Sequence, residues 1–233
     1  MSTPKKKWLV LSVLKTGGDF TANNVYSLRA QVARHFQAPH EFRVLTDAYI
    51  RNMYKCQLWH DWPGWWSKLE LFNVNRLEKF KNWPCFFLDL DTVITDDFDL
   101  PLPSFNELWM IRDFMAWGDD RYRSRWWASG LMTWSGDFTA IPARASHLGI
   151  KEVDAQFRWD QIFINKTLER EVAEGRVEQR ALNDVIRIES FKVHKLDKDT
   201  LDDPPQIVCF HGKPRPWDRH DLTWVKEARA WHL

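Results

Sequence analysis

Residues 86–93 read Phe-Phe-Leu-Asp-Leu-Asp-Thr-Val, an apolar run that delivers two acids, Asp89 and Asp91, with Leu90 between them. In extended backbone residues i and i+2 point the same way, so both carboxylates can converge on one hard cation that prefers oxygen ligands. The plainer alternative is a pair of solvated or capping acids at a strand end. Near the other end of the chain, residues 207–217 read Ile-Val-Cys-Phe-His-Gly-Lys-Pro-Arg-Pro-Trp. An apolar run again ends in chemistry. His211 offers a nitrogen ligand for a divalent ion such as manganese, Gly212 lets backbone approach a phosphate, and Lys213 and Arg215 offer charge to diphosphate oxygens. Read with the acid pair, His211 becomes a third metal ligand; alone it would be an ordinary surface or core histidine.

These residues need elements to hold them. Residues 7–14 form a continuous β-rich apolar run ended by Thr16-Gly17-Gly18-Asp19, as a buried parallel strand followed by a loop would. Val25, Leu28, Val32 and Phe36 recur at three- and four-residue steps, which predicts an amphipathic helix stopped near Pro39. A second strand over 41–46 completes a β-α-β unit whose strand ends open on one edge, the default ligand site. Ser67-Lys68-Leu69-Glu70 has capping-box form and predicts a helix to about Phe80, and residues 85–88 form the third strand, leading into the acid pair. Short strands are expected at 108–112, 131–134, 185–188 and 207–210, with a helix over 160–174 capped by Gly175 and a terminal helix over 220–231. The whole reads as one α/β domain.

The composition supports that reading. Of 233 residues 44% are hydrophobic and 28% charged, which excludes a disordered or fibrous chain. Lys and Arg number 33 against 32 acids, so the chain is no general polyanion binder. No run approaches the roughly 18 apolar residues of a membrane span, and the start lacks a signal-peptide cleavage pattern. Cys56, Cys85 and Cys209 lie in apolar surroundings and read as buried thiols of a reducing compartment, so a cytoplasmic location is expected. Fifteen Trp and fifteen Phe suit packing first, and stacking on sugars or bases second.

Two families place acids in this way. Asp89, Asp91 and Val93 satisfy the D-x-D-x-[TV] pattern of haloacid-dehalogenase-type phosphatases, in which Asp89 would be the nucleophile. That pattern normally sits on a domain's first strand, whereas here a β-α-β unit and a helix precede it. The position resembles the metal-dependent glycosyltransferases better, and 211–217 is similar to the H-x-x-G-x-x-K-P-W ending of family 8, the glycogenin and lipopolysaccharide galactosyltransferase group. This chain is two residues shorter there, which leaves open whether Lys213 or Arg215 fills the lysine role. Trp66-Ser67-Lys68-Leu69-Glu70 resembles the helix whose basic residue reaches the donor, Ala128-Ser129-Gly130 the N-x-G strand start with Ser129 for Asn, and Asp160-Gln161-Ile162-Phe163-Ile164-Asn165 the D-Q-x-x-x-N motif.

The resemblance implies a GT-A, Rossmann-like fold with one mixed central sheet, residues 1–91 forming a nucleotide-binding half and 92–233 an acceptor and catalytic half. It implies a metal, Mn2+ or Mg2+, on Asp89, Asp91 and His211. Nucleotide-sugar contacts are implied at Thr16, Asp47, Lys68, Leu90, Ser129, Gly130, Gly212, Lys213 and Arg215, with Asp160 and Gln161 beside the transferred sugar. The implied reaction moves a sugar from a nucleoside-diphosphate sugar, UDP-sugar first, to an acceptor hydroxyl with retention. The acceptor is a saccharide or a modified nucleic acid, since 117–127 interleaves Arg121, Arg123 and Arg125 with Tyr122, Trp126 and Trp127. A non-catalytic sugar-nucleotide-binding module is the other alternative. A glycosidase is disfavoured, because its acids face each other across a cleft, and Asn165-Lys166-Thr167 matches a glycosylation acceptor by chance.

Overall fold

The first strand explains the architecture. In the computed structural model, which describes residues 7–114 and 127–230 apart from the side chains of 75 and 76, β1 (Trp8–Leu14) sends Leu9 and Leu11 into one core and Trp8, Val10 and Leu14 into another. A strand buried on both faces must be apolar throughout, as this one is. Helix α1 (Ala22–His35) covers the second core with Val25, Leu28 and Val32 and returns the chain to β2 (His40–Thr46), parallel to β1. Beyond β2 lies the short parallel β3 (Lys55–Gln57).

On its other side β1 pairs in parallel with β4 (Cys85–Leu88), and β4 pairs antiparallel with β7 (Trp127–Ser135). Next come β6 (Glu107–Arg112), antiparallel to β7, and β8 (Glu178–Ala181), parallel to β6. The seven-stranded order is therefore β3-β2-β1-β4-β7-β6-β8. Residues 64–76 and helices α2 (Ala140–Leu148), α3 (Ile150–Phe157) and α4 (Asp160–Ala173) pack on the Leu9 face. A three-stranded sheet, β5 (Thr92–Ile94) with β10 (Ile207–Cys209) and β9 (Ile188–Ser190), carries its own core of Val93, Phe191, Val208 and Phe210 under α5 (Thr223–Arg229). No helix among the described residues is long and apolar enough to cross a membrane.

Several expectations change. Residues 64–76 and 78–80 wind as 3-10 turns rather than as one α-helix from Ser67. Trp66, Leu69 and Phe72 recur every third residue and are all buried, a spacing that eclipses in a 3-10 helix and drifts in an α-helix. The capping box does not form: Ser67 donates to the Gly64 carbonyl, while buried Glu70 accepts the backbone N–H groups of Trp59 and His60. Residues 185–187 are not strand; Val185 is exposed after a 3-10 turn over Leu182–Asp184, and β9 begins at Ile188. Helix α4 does begin at Asp160, with Trp159 at its N-cap. The basic-aromatic stretch 117–126 lies outside the described residues, as does the end of the terminal helix expected to Trp231; Trp127 opens β7.

One turn ties the antiparallel half together. Asn106 donates to the Ser135 carbonyl at 2.7 Å and accepts from Glu178 N–H at 3.1 Å, knotting β6, β7 and β8. Gly136 sits against it at φ +111°, where a Cβ would meet the Asn106 Oδ1 at 2.6 Å and its backbone nitrogen at 2.8 Å. Gly136→Ala therefore combines a disfavoured φ with a backbone clash. It is expected to cost about 2 kcal/mol of unfolding free energy, read as a lower urea midpoint at unchanged slope.

Candidate active site

Strand pairing explains why residues far apart in the chain meet. Leu88 of β4 pairs with Leu131 of β7, so Asp89, whose N–H donates to the Gly130 carbonyl at 2.9 Å, lies beside Ser129 and Gly130. The chain then turns, with Thr92 N–H on the Asp89 carbonyl at 3.1 Å, and enters the small sheet. There Thr92 pairs with Cys209, and Phe210 N–H donates to the Asp91 carbonyl at 3.3 Å. The two acids thus end one sheet and begin another, and the residue after Phe210 is His211.

Lys68 is the hub of the first cluster. Its Nζ lies 3.0 Å from the Asp89 Oδ2 and 3.1 Å from the Asp160 Oδ2, with the Ser129 Oγ at 3.4 Å and the Phe87 ring centroid at 5.4 Å. The Ser129 hydroxyl donates to the same Asp160 oxygen at 2.7 Å. The lysine side chain is only 9% exposed. Burial works against its charge, but Asp160 and Asp89 outweigh it and the ammonium titrates above its ordinary value. Asp89 moves the other way from a typical paired acid: burial, then repulsion by Asp91 and Asp160, holds its carboxyl above the usual range despite Lys68.

Arg215 is the hub of the second. Its Nη1 donates to the Asp91 Oδ2, its Nη2 lies 3.7 Å from Asp19, and its guanidinium lies over Phe20 at 4.8 Å and Trp217 at 6.0 Å. His211 accepts or donates at Nε2 to the Ser190 hydroxyl, 2.6 Å away, and its ring stacks on Phe114. Burial and then Lys192 push the imidazole below its usual value, against Asp91 and Asp113. Gly212 follows at φ +81°, Lys213 is exposed, Leu90 is buried, and Gln161 stands half-buried in the first turn of α4.

A third group caps the parallel strands. Leu14 pairs with Thr46, which sets Asp47 beside the β1 loop: Thr16 donates its N–H and hydroxyl to Asp47 at 3.0 and 2.8 Å, and Lys15 bridges Asp47 at 2.5 Å and Asp61 at 2.7 Å. Of the residues expected from sequence, the structure joins Asp89, Lys68, Ser129 and Asp160 directly, Asp91 to Arg215, and Thr16 to Asp47. Lys213 and Gln161 stand outside these hydrogen bonds. Asp19, Phe20, Phe114 and Ser190 were not expected; only Asp19, ending the Gly-Gly turn after β1, carries a visible sequence signal.

The donor set suits a divalent ion in kind, two carboxylates and an imidazole that burial and Lys192 hold below its usual value. Among the described residues, however, no three such side chains are gathered around one point. Asp89 faces Lys68, Asp91 faces Arg215 and His211 faces Ser190.

Two outcomes follow from these contacts. Lys68→Met leaves buried Asp160 and partly exposed Asp89 without their cation, so it is expected to cost about 3 kcal/mol at neutral pH, narrowing as acid neutralises them, in paired urea titrations. At Asp47 burial raises the pKa, but Lys15 and the two Thr16 donors outweigh it and bring it down to about 2 from 3.8. A depressed acid stabilises the fold above its unfolded value and loses that contribution as pH falls through the folded one. Asp47→Asn should therefore cost about 1 kcal/mol above pH 4 after solvent screening, with the cost shrinking as pH falls through about 2 and vanishing below it, read as a flattened stability profile.

No protein-family model and no curated protein matches the chain. Solved structures do. The glycosyltransferase GlyE of Streptococcus pneumoniae TIGR4 superposes with a TM-score of 0.61 at 12% identity, over 99% of this chain and 61% of GlyE. The galactosyltransferase LgtC, solved with donor and acceptor sugar analogues, gives 0.61 at 13%, over 94% of this chain and 93% of LgtC. The bifunctional glycosyltransferase WbbM gives 0.61 at 13%, over 98% of this chain and 50% of WbbM. The chain thus spans about three fifths of GlyE, half of WbbM and nearly all of LgtC. At these identities the likeness is one of fold: the chain has the GT-A architecture of these glycosyltransferases, a mixed seven-stranded sheet flanked by helices.

Proposed function

We propose that the chain is a glycosyltransferase that moves a sugar from a nucleoside-diphosphate sugar, UDP-sugar first, to an acceptor hydroxyl with retention of configuration. The observation that carries this reading is the convergence of Lys68, Asp89, Ser129 and Asp160 on the strand edge where Asp91 meets Arg215. Glycosyl transfer requires negative charge to be stabilised on the leaving diphosphate, and cations preorganised in a partly dry site do this best. Asp89, Asp91 and His211 would hold Mn2+ or Mg2+, which supplies Lewis acidity to that diphosphate when bound. Arg215 and exposed Lys213 reach the phosphates as fork and point charge.

Asp160 is fixed by Ser129 and Lys68 through Oδ2, which leaves Oδ1 to accept from a sugar hydroxyl. Gln161, next along α4, faces the same sugar. An amide is a poor nucleophile, which favours attack by the acceptor hydroxyl on the leaving-group side over a covalent intermediate. Thr16 and Asp47 close the nucleoside end. A saccharide acceptor is preferred to a modified nucleic acid because a net charge of +1 gives little hold on a phosphate backbone. A phosphatase reading would leave His211, Lys213 and Arg215 of the 207–217 segment without a role.

A thermal-shift panel of nucleotide sugars with and without Mn2+ tests the donor and the ion together: one nucleotide class should raise Tm in the presence of Mn2+, and a flat panel would remove the reading. Asp91→Ala should stay folded and lose at least about a hundredfold in transfer rate. Product anomeric configuration read by NMR separates retention from inversion.

A further inference from the structure

Resting on the functional reading above, we propose that Trp65 and Trp159 form the acceptor subsite, a stacking platform for a neutral saccharide beside the Lys68–Asp160 pair. Their rings lie 5.6 Å apart between centroids, tilted by 45°, and the two residues are 48% and 42% exposed. Trp8, Trp66 and Trp134 fill the cores of this chain, whereas these two indoles stand side by side half open to water. The contrast is sharpest at Trp66, next to Trp65 in sequence. It is buried, and its Nε1–H donates to Asp154 at 2.7 Å.

The candidate site fixes where the pair lies. In a 3-10 turn residues i and i+3 eclipse, so Trp65 stands one turn before Lys68 on the same side of its segment. Trp159 immediately precedes Asp160, which accepts from Ser129 and lies 3.1 Å from the Lys68 Nζ. The two indoles therefore extend the site outward from the two residues that meet in it. The turn presenting Trp159 is unusual as well: Arg158, between α3 and α4, holds φ +57°, and its guanidinium lies 5.3 Å from the Trp159 ring centroid, which restrains the indole. An indole face matches the C–H face of a pyranose, and a restrained ring loses little freedom on binding one. Charge selects against a polyanion. Asp154 on Trp66 and Arg158 on Trp159 are opposite in sign, and Lys68 is matched by two acids, so these groups give a phosphate backbone little hold.

The test is an array of immobilised neutral oligosaccharides, ending in glucose, galactose or N-acetylglucosamine, beside single-stranded DNA oligonucleotides, probed with the labelled full chain. Wild type should bind a set of the saccharides and no DNA. Trp65→Ala and Trp159→Ala should each weaken that binding roughly tenfold, the scale of one lost stacking partner. Trp65→Tyr and Trp159→Tyr keep a ring and should stay close to wild type. Hydroxyl-radical footprinting of wild type reads the same contact without a variant: the bound saccharide should protect Trp65 and Trp159 and leave exposed Phe105, ahead of β6 at the opposite edge of the sheet, unchanged. Saccharide binding that survives both Ala substitutions, or unchanged footprints at both indoles, would overturn the platform. Binding to DNA alone, or to nothing on the array, would overturn it too. In each case a thermal shift of wild type by a nucleotide sugar leaves the functional reading standing. Neither saccharide binding nor a shift with any nucleotide sugar would overturn both.

Discussion

A single buried ammonium organises this protein. Lys68 comes from the 3-10 segment over the central sheet, and its two carboxylate partners come from the end of β4 and the start of α4, with Ser129 of β7 completing the ring. Removing that charge from water is expensive, and the cost is offset only while both acids remain in place. Four separate stretches of chain are therefore held in one geometry by one electrostatic requirement. The arrangement also keeps Asp160 aimed at the strand edge instead of turning it back to cap its own helix, a role Asp at a helix start usually takes.

The second constraint is topological. β5 leaves the central sheet directly after the acid pair and finds its partner in β10, more than a hundred residues later. That antiparallel pairing sets Asp91 beside the loop carrying His211 and Arg215, because residues preceding one strand and following its antiparallel neighbour lie at the same end. The small sheet has its own buried core of Val93, Val208, Phe191 and Phe210 and is covered by α5. Its stability is what joins the carboxy-terminal loop to the site. The tryptophan excess serves this packing in part: Trp8, Trp66 and Trp134 are each nearly inaccessible, while Trp217 carries two arginines on its ring.

Much of this was legible in the sequence where one local signal dominated. β1, β2 and β4 are apolar runs ended by polar residues, and the structure has them within a residue of the expected bounds. Where two local rules competed, tertiary packing decided. Ser67 and Glu70 match a capping box, yet Glu70 is drawn into a buried bond with the Trp59–His60 backbone and the segment winds to a three-residue repeat of apolar side chains. β3 and β8 carry charged residues at sheet edges, Lys55 and Glu178 among them, and their sequences hold no apolar pattern to read. The contact of Lys68 with Asp160 spans ninety-two positions and depends on where α4 docks, which no local pattern encodes. Spacing marks the acids as chemistry; only packing says which cation each one faces.

Charge balance connects the two hubs. Asp19, Asp89, Asp91 and Asp160 bring four carboxylates to this edge, while Lys68, Arg215 and the more distant Arg229 bring three cations. Burial first, then repulsion by Asp91 and Asp160, holds the Asp89 carboxyl above the usual range although an ammonium touches it. A diphosphate arriving alone would deepen that excess in a partly dry cleft, where like charges repel far more than in water. Exposed Lys213 can neutralise one phosphate oxygen at the rim but lies outside the bonds around Asp91. On the proposed reading, the site favours an anionic ligand that brings its own counter-charge.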